Sequence, residues 1–207
     1  MVAPGLASTL TVADSSASGA PRADDIVTLT APLAAPLTDE LDGAGEYLGV
    51  TVEEILLAAL AGAVAKTFGE GELRVDVATP VGTEFPVTIS CVDHHGSAAN
   101  EALVAVRRAL ATAPRRGPHD RAAQAQFGYR ADGVSDEDTW NPDRALQVRA
   151  LRRDGTLELQ WRYDMRRFFA ATVAELAEQF PLALIEITSE AVAPIYGVTP
   201  VAARSYA

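Results

Sequence analysis

The chain has one cysteine, Cys91, one lysine, Lys66, and three histidines in 207 residues, and only 6% of it is aromatic. A lone cysteine forms no internal disulfide, and a lone lysine confines any Schiff-base chemistry to Lys66. Both scarcities fit a reducing cytoplasm, the expected location. No apolar run approaches the roughly eighteen residues of a membrane span, and the N-terminus lacks the positive start and continuous apolar stretch of a secretory signal. Neither export nor membrane spanning is expected. G-x-S-x-G, P-loop, Rossmann glycine and paired-cysteine patterns are also missing, so the common cofactor and metal classes lose their usual support.

What is present is a 48% hydrophobic chain, enough for one domain or two small lobes, with a formal charge of −11. That charge disfavours general binding to nucleic acid or an anionic membrane. Its distribution is uneven. Residues 1 to 106 hold three cations, Arg22, Lys66 and Arg74, against fifteen carboxylates, whereas residues 107 to 207 hold fourteen arginines against thirteen carboxylates. A basic docking face therefore belongs to the second half.

Residues 1–25, rich in Ala, Ser, Pro and Gly, read as a flexible arm, and residues 189–207 as a tail or linker around a domain at 26–188. Ile26 to Thr30 reads as a short strand. A helix is expected from Thr38 to about Leu48, with Thr38 as its cap and Gly49 as its stop. Thr51 and Glu54 form a capping box leading into Ile55, Leu56, Leu57, Leu60, Val64 and Phe68, a helix apolar nearly all round. Leu73-Val75-Val77 and Phe85-Val87-Ile89-Cys91 alternate as half-buried strands, with Cys91 pointing inward as a small apolar residue. A helix follows from Ala98 to about Ala113, then a strand through Ala125, Phe127 and Tyr129. Asp154-Gly155 marks a hairpin between Leu146–Leu151 and Leu157–Tyr163, in which Trp161 and Tyr163 read as core. A second capping box, Thr172 with Glu175, opens the last helix, in which Pro181 is a kink or early stop. The order implies an α/β two-layer sandwich, a mixed β-sheet packed by helices.

Several of these words resemble one family. The stretch from Thr51 through Val52-Glu53-Glu54-Ile55-Leu56-Leu57 to Leu60 looks like the helix that opens the C-terminal half of a nonribosomal peptide synthetase condensation or epimerisation domain. Gln126-Phe127-Gly128-Tyr129 resembles that family's F-N-Y strand, with Gly128 in place of Asn. Leu157 to Tyr163 and Thr172 to Phe180 are similar to its closing strand and final helix, and Ile195-Tyr196-Gly197-Val198-Thr199-Pro200 echoes the Y-P-L-T-P opening of a condensation domain. The resemblance implies half of a chloramphenicol-acetyltransferase-like fold, in which two lobes form a V and a tunnel receives carrier-bound thioesters. The lobe bearing the family's HHxxxDG motif is missing from this chain. The bridging loop is reduced to Pro80-Val81-Gly82-Thr83-Glu84 before Phe85-Pro86-Val87.

His94-His95 is the one pair that invites a catalytic reading. HHxxxDG requires Asp and Gly at positions 99 and 100, which here are Ala99 and Asn100, so no catalytic residue is expected and a loop or helix-entry role is read for the pair. Asp93, His94 and His95 are adjacent and His119 is unplaced, so no metal site is read. Arg107, Arg108, Arg115, Arg116 and Arg121 cluster round the end of the third helix, as a solvated helix end or a docking patch for an acidic partner. Arg152-Arg153 and Arg166-Arg167 flank the last hairpin strand. Phe127 and Tyr129 mark a groove.

The leading expectation is a non-catalytic partial condensation or epimerisation-like domain, a structural or docking element of nonribosomal peptide biosynthesis. Its partners would be neighbouring synthetase domains or a carrier protein, with phosphopantetheine present only if a carrier docks and no cofactor bound directly. The alternatives are half of a split condensation or acyltransferase enzyme, completed by a separate N-terminal lobe or a second copy, and a small-molecule-binding or tailoring-enzyme-recruiting module. An apolar patch on the open sheet would support the split enzyme; a polar, charged sheet would count against it.

Overall fold

Alternation along the strands gives the sheet two chemically distinct faces. In the computed structural model, which describes residues 9–79, 83–92, 98–114, 123–131, 144–193 and 195, six strands form one sheet. They are β1 (Ile26–Pro32), β2 (Gly71–Ala78), β3 (Glu84–Cys91), β4 (Ala125–Arg130), β5 (Leu146–Arg153) and β6 (Thr156–Asp164), in the spatial order β1-β6-β5-β4-β2-β3. β4 runs parallel to both β2 and β5, and the remaining neighbours are antiparallel. The sheet is mixed, as the sequence implied.

Register turns the alternation into rows. Phe85, Val77, Phe127, Val148, Trp161 and Leu29 stand side by side on one face. One residue along each strand, Pro86, Asp76, Gln126, Gln147, Arg162 and Thr28 form the matching row on the other. The apolar rows share a single core with four helices, α1 (Ala35–Leu48), α2 (Val52–Phe68), α3 (Ala98–Thr112) and α4 (Ala170–Glu190).

The centre of that core is α2. Every residue from Glu54 to Ala65 is buried, so the helix has no solvent face. Its alanines let α4 pack closely, and beside them Trp161 of β6 meets Phe180 of α4 edge to face with ring centroids 5.9 Å apart. The anticipated capping box forms: the Thr51 hydroxyl accepts from the Glu54 amide at 3.2 Å and the Glu54 carboxylate from the Thr51 amide at 2.7 Å. The β5–β6 turn also forms as read, with Asp154 and Gly155 at φ 51° and 77°, the left-handed pair that suits a tight hairpin.

Four expectations are corrected. α1 begins at Ala35, before Thr38, because Pro36 fits the first helical turn, where its missing N–H is no loss. Thr38 is instead buried within the helix and accepts from the Leu157 amide at 3.4 Å. Thr172 does not cap α4: Phe169 occupies that position, and the Thr172 hydroxyl donates to Asp14 at 2.9 Å. Pro181 neither stops α4 nor shortens it, since the helix continues to Glu190. Phe180, Ala183, Leu184 and Ile187 around it are all buried, and their packing outweighs the roughly 3 kcal/mol a proline costs inside a helix.

The fourth correction concerns the expected flexible arm. From Leu10 to Ser15 the chain is tied down along its length. The Leu10 amide donates to Glu72 O at 2.8 Å, and the Gln124 side chain takes the Val12 amide at 2.7 Å while donating to Leu10 O at 2.6 Å. Val12 is buried in the core. Asp14 accepts the Phe169 amide at 2.7 Å and so satisfies a free donor at the start of α4. The signal missing from the sequence was long-range, because residues some 155 positions apart supply the cap. Replacing Asp14 with Ala is expected to lower stability to urea by about 1 kcal/mol and to speed hydrogen exchange at the Phe169 amide.

Candidate functional site

The face turned away from the core carries the polar half of every strand, and its centre is a buried polar network. Asp76 on β2, Gln126 on β4 and Gln147 on β5 share a register row, and all three are buried. Arg144, just before β5, pairs with the Asp76 carboxylate and reaches Glu84 of β3 at 3.7 Å. The Gln126 amide donates to Glu84 at 2.5 Å and the Gln147 amide donates to Gln126. Four consecutive strands of the sheet are thus laced by side chains as well as by backbone. Buried networks of this kind fix register and rigidity more than they add net stability. Both carboxylates are engaged by donors, which suits a scaffold rather than a base.

A second buried pair lies on the helical side. Arg107 Nε donates to Glu54 Oε1 at 2.9 Å and its Nη2 to Glu54 Oε2 at 3.1 Å, a two-pronged arrangement with both side chains at or below 10% exposure. The same guanidinium donates to Gly49 O at 2.5 Å and Ile195 O at 3.5 Å. Asn100 makes the matching contact further along, exchanging two 2.8 Å hydrogen bonds with the backbone of Val192. Chain leaving α4 is therefore held against α3 and the α1–α2 turn as far as Ile195, where a tail or linker was expected.

These contacts redistribute the expected site residues. Arg107 is withdrawn from the docking patch, because it is a buried structural cation; its place was legible in hindsight, four residues after the core residue Leu103 on the apolar stripe of α3. Arg108 is exposed. Arg115, Arg116 and Arg121, and with them His94, His95 and His119, lie outside the described residues. Phe127 lines no groove: it is fully buried in the apolar row of the central strand β4. Tyr129 packs half-buried against the core, and its hydroxyl joins the Asp42 carboxylate in holding the Arg152 charge.

Arg152 meets Asp42 through two hydrogen bonds of 2.8 and 2.6 Å, so this residue at the hairpin ties β5 to α1. Cys91 is fully buried as read, and burial pushes its thiol up to about 12, a protonated core group. The residues that sequence reasoning missed are Asp76, Arg144, Gln126 and Gln147. Polar residues between apolar ones on a strand marked a second face, but the pairing needs the strand order.

No family model matches the chain. It is 32% identical over 225 residues to a phenolphthiocerol/phthiocerol polyketide synthase component of Mycobacterium tuberculosis, across 84% of this chain and 15% of that protein. Among solved structures, it superposes on the epimerization domain from the third module of tyrocidine synthetase B with a TM-score of 0.71 and 15% identity, over 89% of this chain and 53% of that one. The first condensation domain of the CDA synthetase matches with a TM-score of 0.64 and 15% identity, over 91% of this chain and 50% of that one. The chain thus spans about half of each solved domain and a small part of the polyketide synthase.

Two outcomes follow from the buried charges. Arg107→Met is expected to destabilise the chain by about 3 kcal/mol in urea unfolding, because Glu54 is left buried without its partner, and adding Glu54→Leu to restore part of that loss. Asp164 accepts 2.7 and 3.0 Å bonds from the Arg166 guanidinium and another from its backbone, which together hold its carboxyl below the usual range. A depressed folded value means that the contribution is complete at neutral pH and is lost as pH falls from about 4 through the lower folded value. Asp164→Asn is expected to flatten that acid limb of the stability profile and to leave its neutral slope unchanged.

Proposed function

Because this chain carries the fold of one half of a condensation- or epimerisation-type domain, we propose that it is a non-catalytic half-domain serving as a structural or docking element on a peptide or polyketide assembly line. The observation that carries the reading is the state of the polar sheet face. A half awaiting its counterpart for catalysis was expected to present an apolar seat there. The face instead holds Asp76, Glu84, Gln126, Gln147 and Arg144 in contacts made within this chain. Strands tied to one another in this way support the reading of the lobe as a fixed platform.

Charge supports where a partner would sit. Arg108 stands exposed on α3 in the arginine-rich second half of a chain whose net charge is −11. The words from Thr51 to Leu60 and from Leu157 to Phe180 that resemble synthetase domains imply carrier proteins as neighbours, and an acidic carrier is the partner this surface suits. Phosphopantetheine would then arrive with the carrier.

Charge reversal tests the reading. Titrating the chain into an acidic carrier domain, by calorimetry at low and high salt, is expected to show binding that weakens with salt and falls at least about fivefold in Arg108→Glu. Unchanged affinity in that variant, with its unfolding curve intact, would remove the docking role from α3.

A further inference from the structure

Of the three cations in residues 1 to 106, Lys66 pairs with Glu186 and Arg22 sits in the turn before β1, leaving Arg74 on β2. None of the ion pairs among the described residues involves it. Arg74 stands opposite Thr88 in the β2–β3 ladder and lines a pocket of about 250 Å³ where the last turn of α3 meets this edge of the sheet. The other walls are Pro86, Val87, Ala109, Thr112, Ala113 and Pro114.

The chemistry of these walls is specific. Ala109 in the last turn of α3 and Ala113 just beyond its end present only methyl groups to the pocket, which leaves the space open. Thr88 and Thr112 add hydroxyls. The Thr112 hydroxyl donates to Arg108 O at 2.8 Å, which leaves its oxygen lone pairs facing acceptance only. Arg74 is the one cation among these walls. On the strand itself Glu72 and Asp76 bracket Arg74 at two-residue spacing, but Asp76 is already held by Arg144.

We propose that this pocket binds a carboxylate carried on a short branched or methylene stem. The guanidinium takes the two oxygens, the Thr88 hydroxyl donates a further hydrogen bond, and the stem packs against Pro86, Ala109 and Ala113. The volume lies just below that of typical ligand pockets, which sets the size at a few carbon atoms and excludes a nucleotide or an extended acyl chain. A free short-chain carboxylic acid and a glutamate side chain presented by another protein share this chemistry. The inference stands apart from the docking reading, since the pocket binds or fails to bind small probes whatever α3 does with a carrier.

The test is titration of the isotopically labelled full chain, followed by amide shifts at Thr88 and Thr112. The probes are isobutyrate, its uncharged isostere isobutyramide, and a capped tripeptide with a central glutamate. Isobutyrate is expected to saturate those shifts and isobutyramide to bind at least about tenfold more weakly. Arg74→Gln is expected to weaken isobutyrate by a similar factor, Ala109→Leu to abolish binding with every charge in place, and Glu72→Gln to tighten it by about twofold. Saturation by the tripeptide as well assigns the site to a presented side chain; saturation by isobutyrate alone assigns it to a free acid. Equal binding of isobutyramide, indifference to Arg74→Gln in a folded variant, or no saturable shift with either acid would overturn the proposal.

Discussion

One carboxylate begins the helix on which the whole lobe is built. Glu54 closes the capping box of α2 with one oxygen and receives the Arg107 guanidinium with both. The cap decides where α2 starts, and Arg107 decides where α3 and the chain beyond α4 lie against it, through Gly49 O and Ile195 O. A helix with no solvent face can tolerate such a charge only at its end, where backbone donors and a cation meet it. The remaining helices and the apolar rows of the sheet then close round α2.

The second constraint is the two-faced sheet. Trp161, Phe127 and Val148 are fully buried on the core side. On the other side Asp76, Arg144, Glu84, Gln126 and Gln147 answer one another. The edges of the sheet and the helix ends are the further surfaces that a partner or a ligand could use. That is where exposed Arg108 and the Arg74 pocket are found.

Local signals in the sequence carried the fold far. The Thr51–Glu54 box, the Asp154-Gly155 hairpin and the strand alternation each depend on residues within a few positions, and each is realised. What sequence alone left dark depends on distant partners. Asp14 caps a helix that begins at Ala170, and Arg107 reads as a surface cation until Glu54 is placed beside it. Pro181 inside α4 shows burial overruling propensity. The polar row was visible only as a face, and its partners became identifiable once β4 was seen between β2 and β5.

The central claim is that this half-domain holds position and transfers nothing by itself. It is tested most directly by incubating the chain with an acyl-loaded carrier domain and an amine acceptor, and following the intact mass of the carrier. The expected result is loss of the acyl group at the rate seen without the chain. Faster loss with matching amide product, removed by His95→Ala, would contradict it.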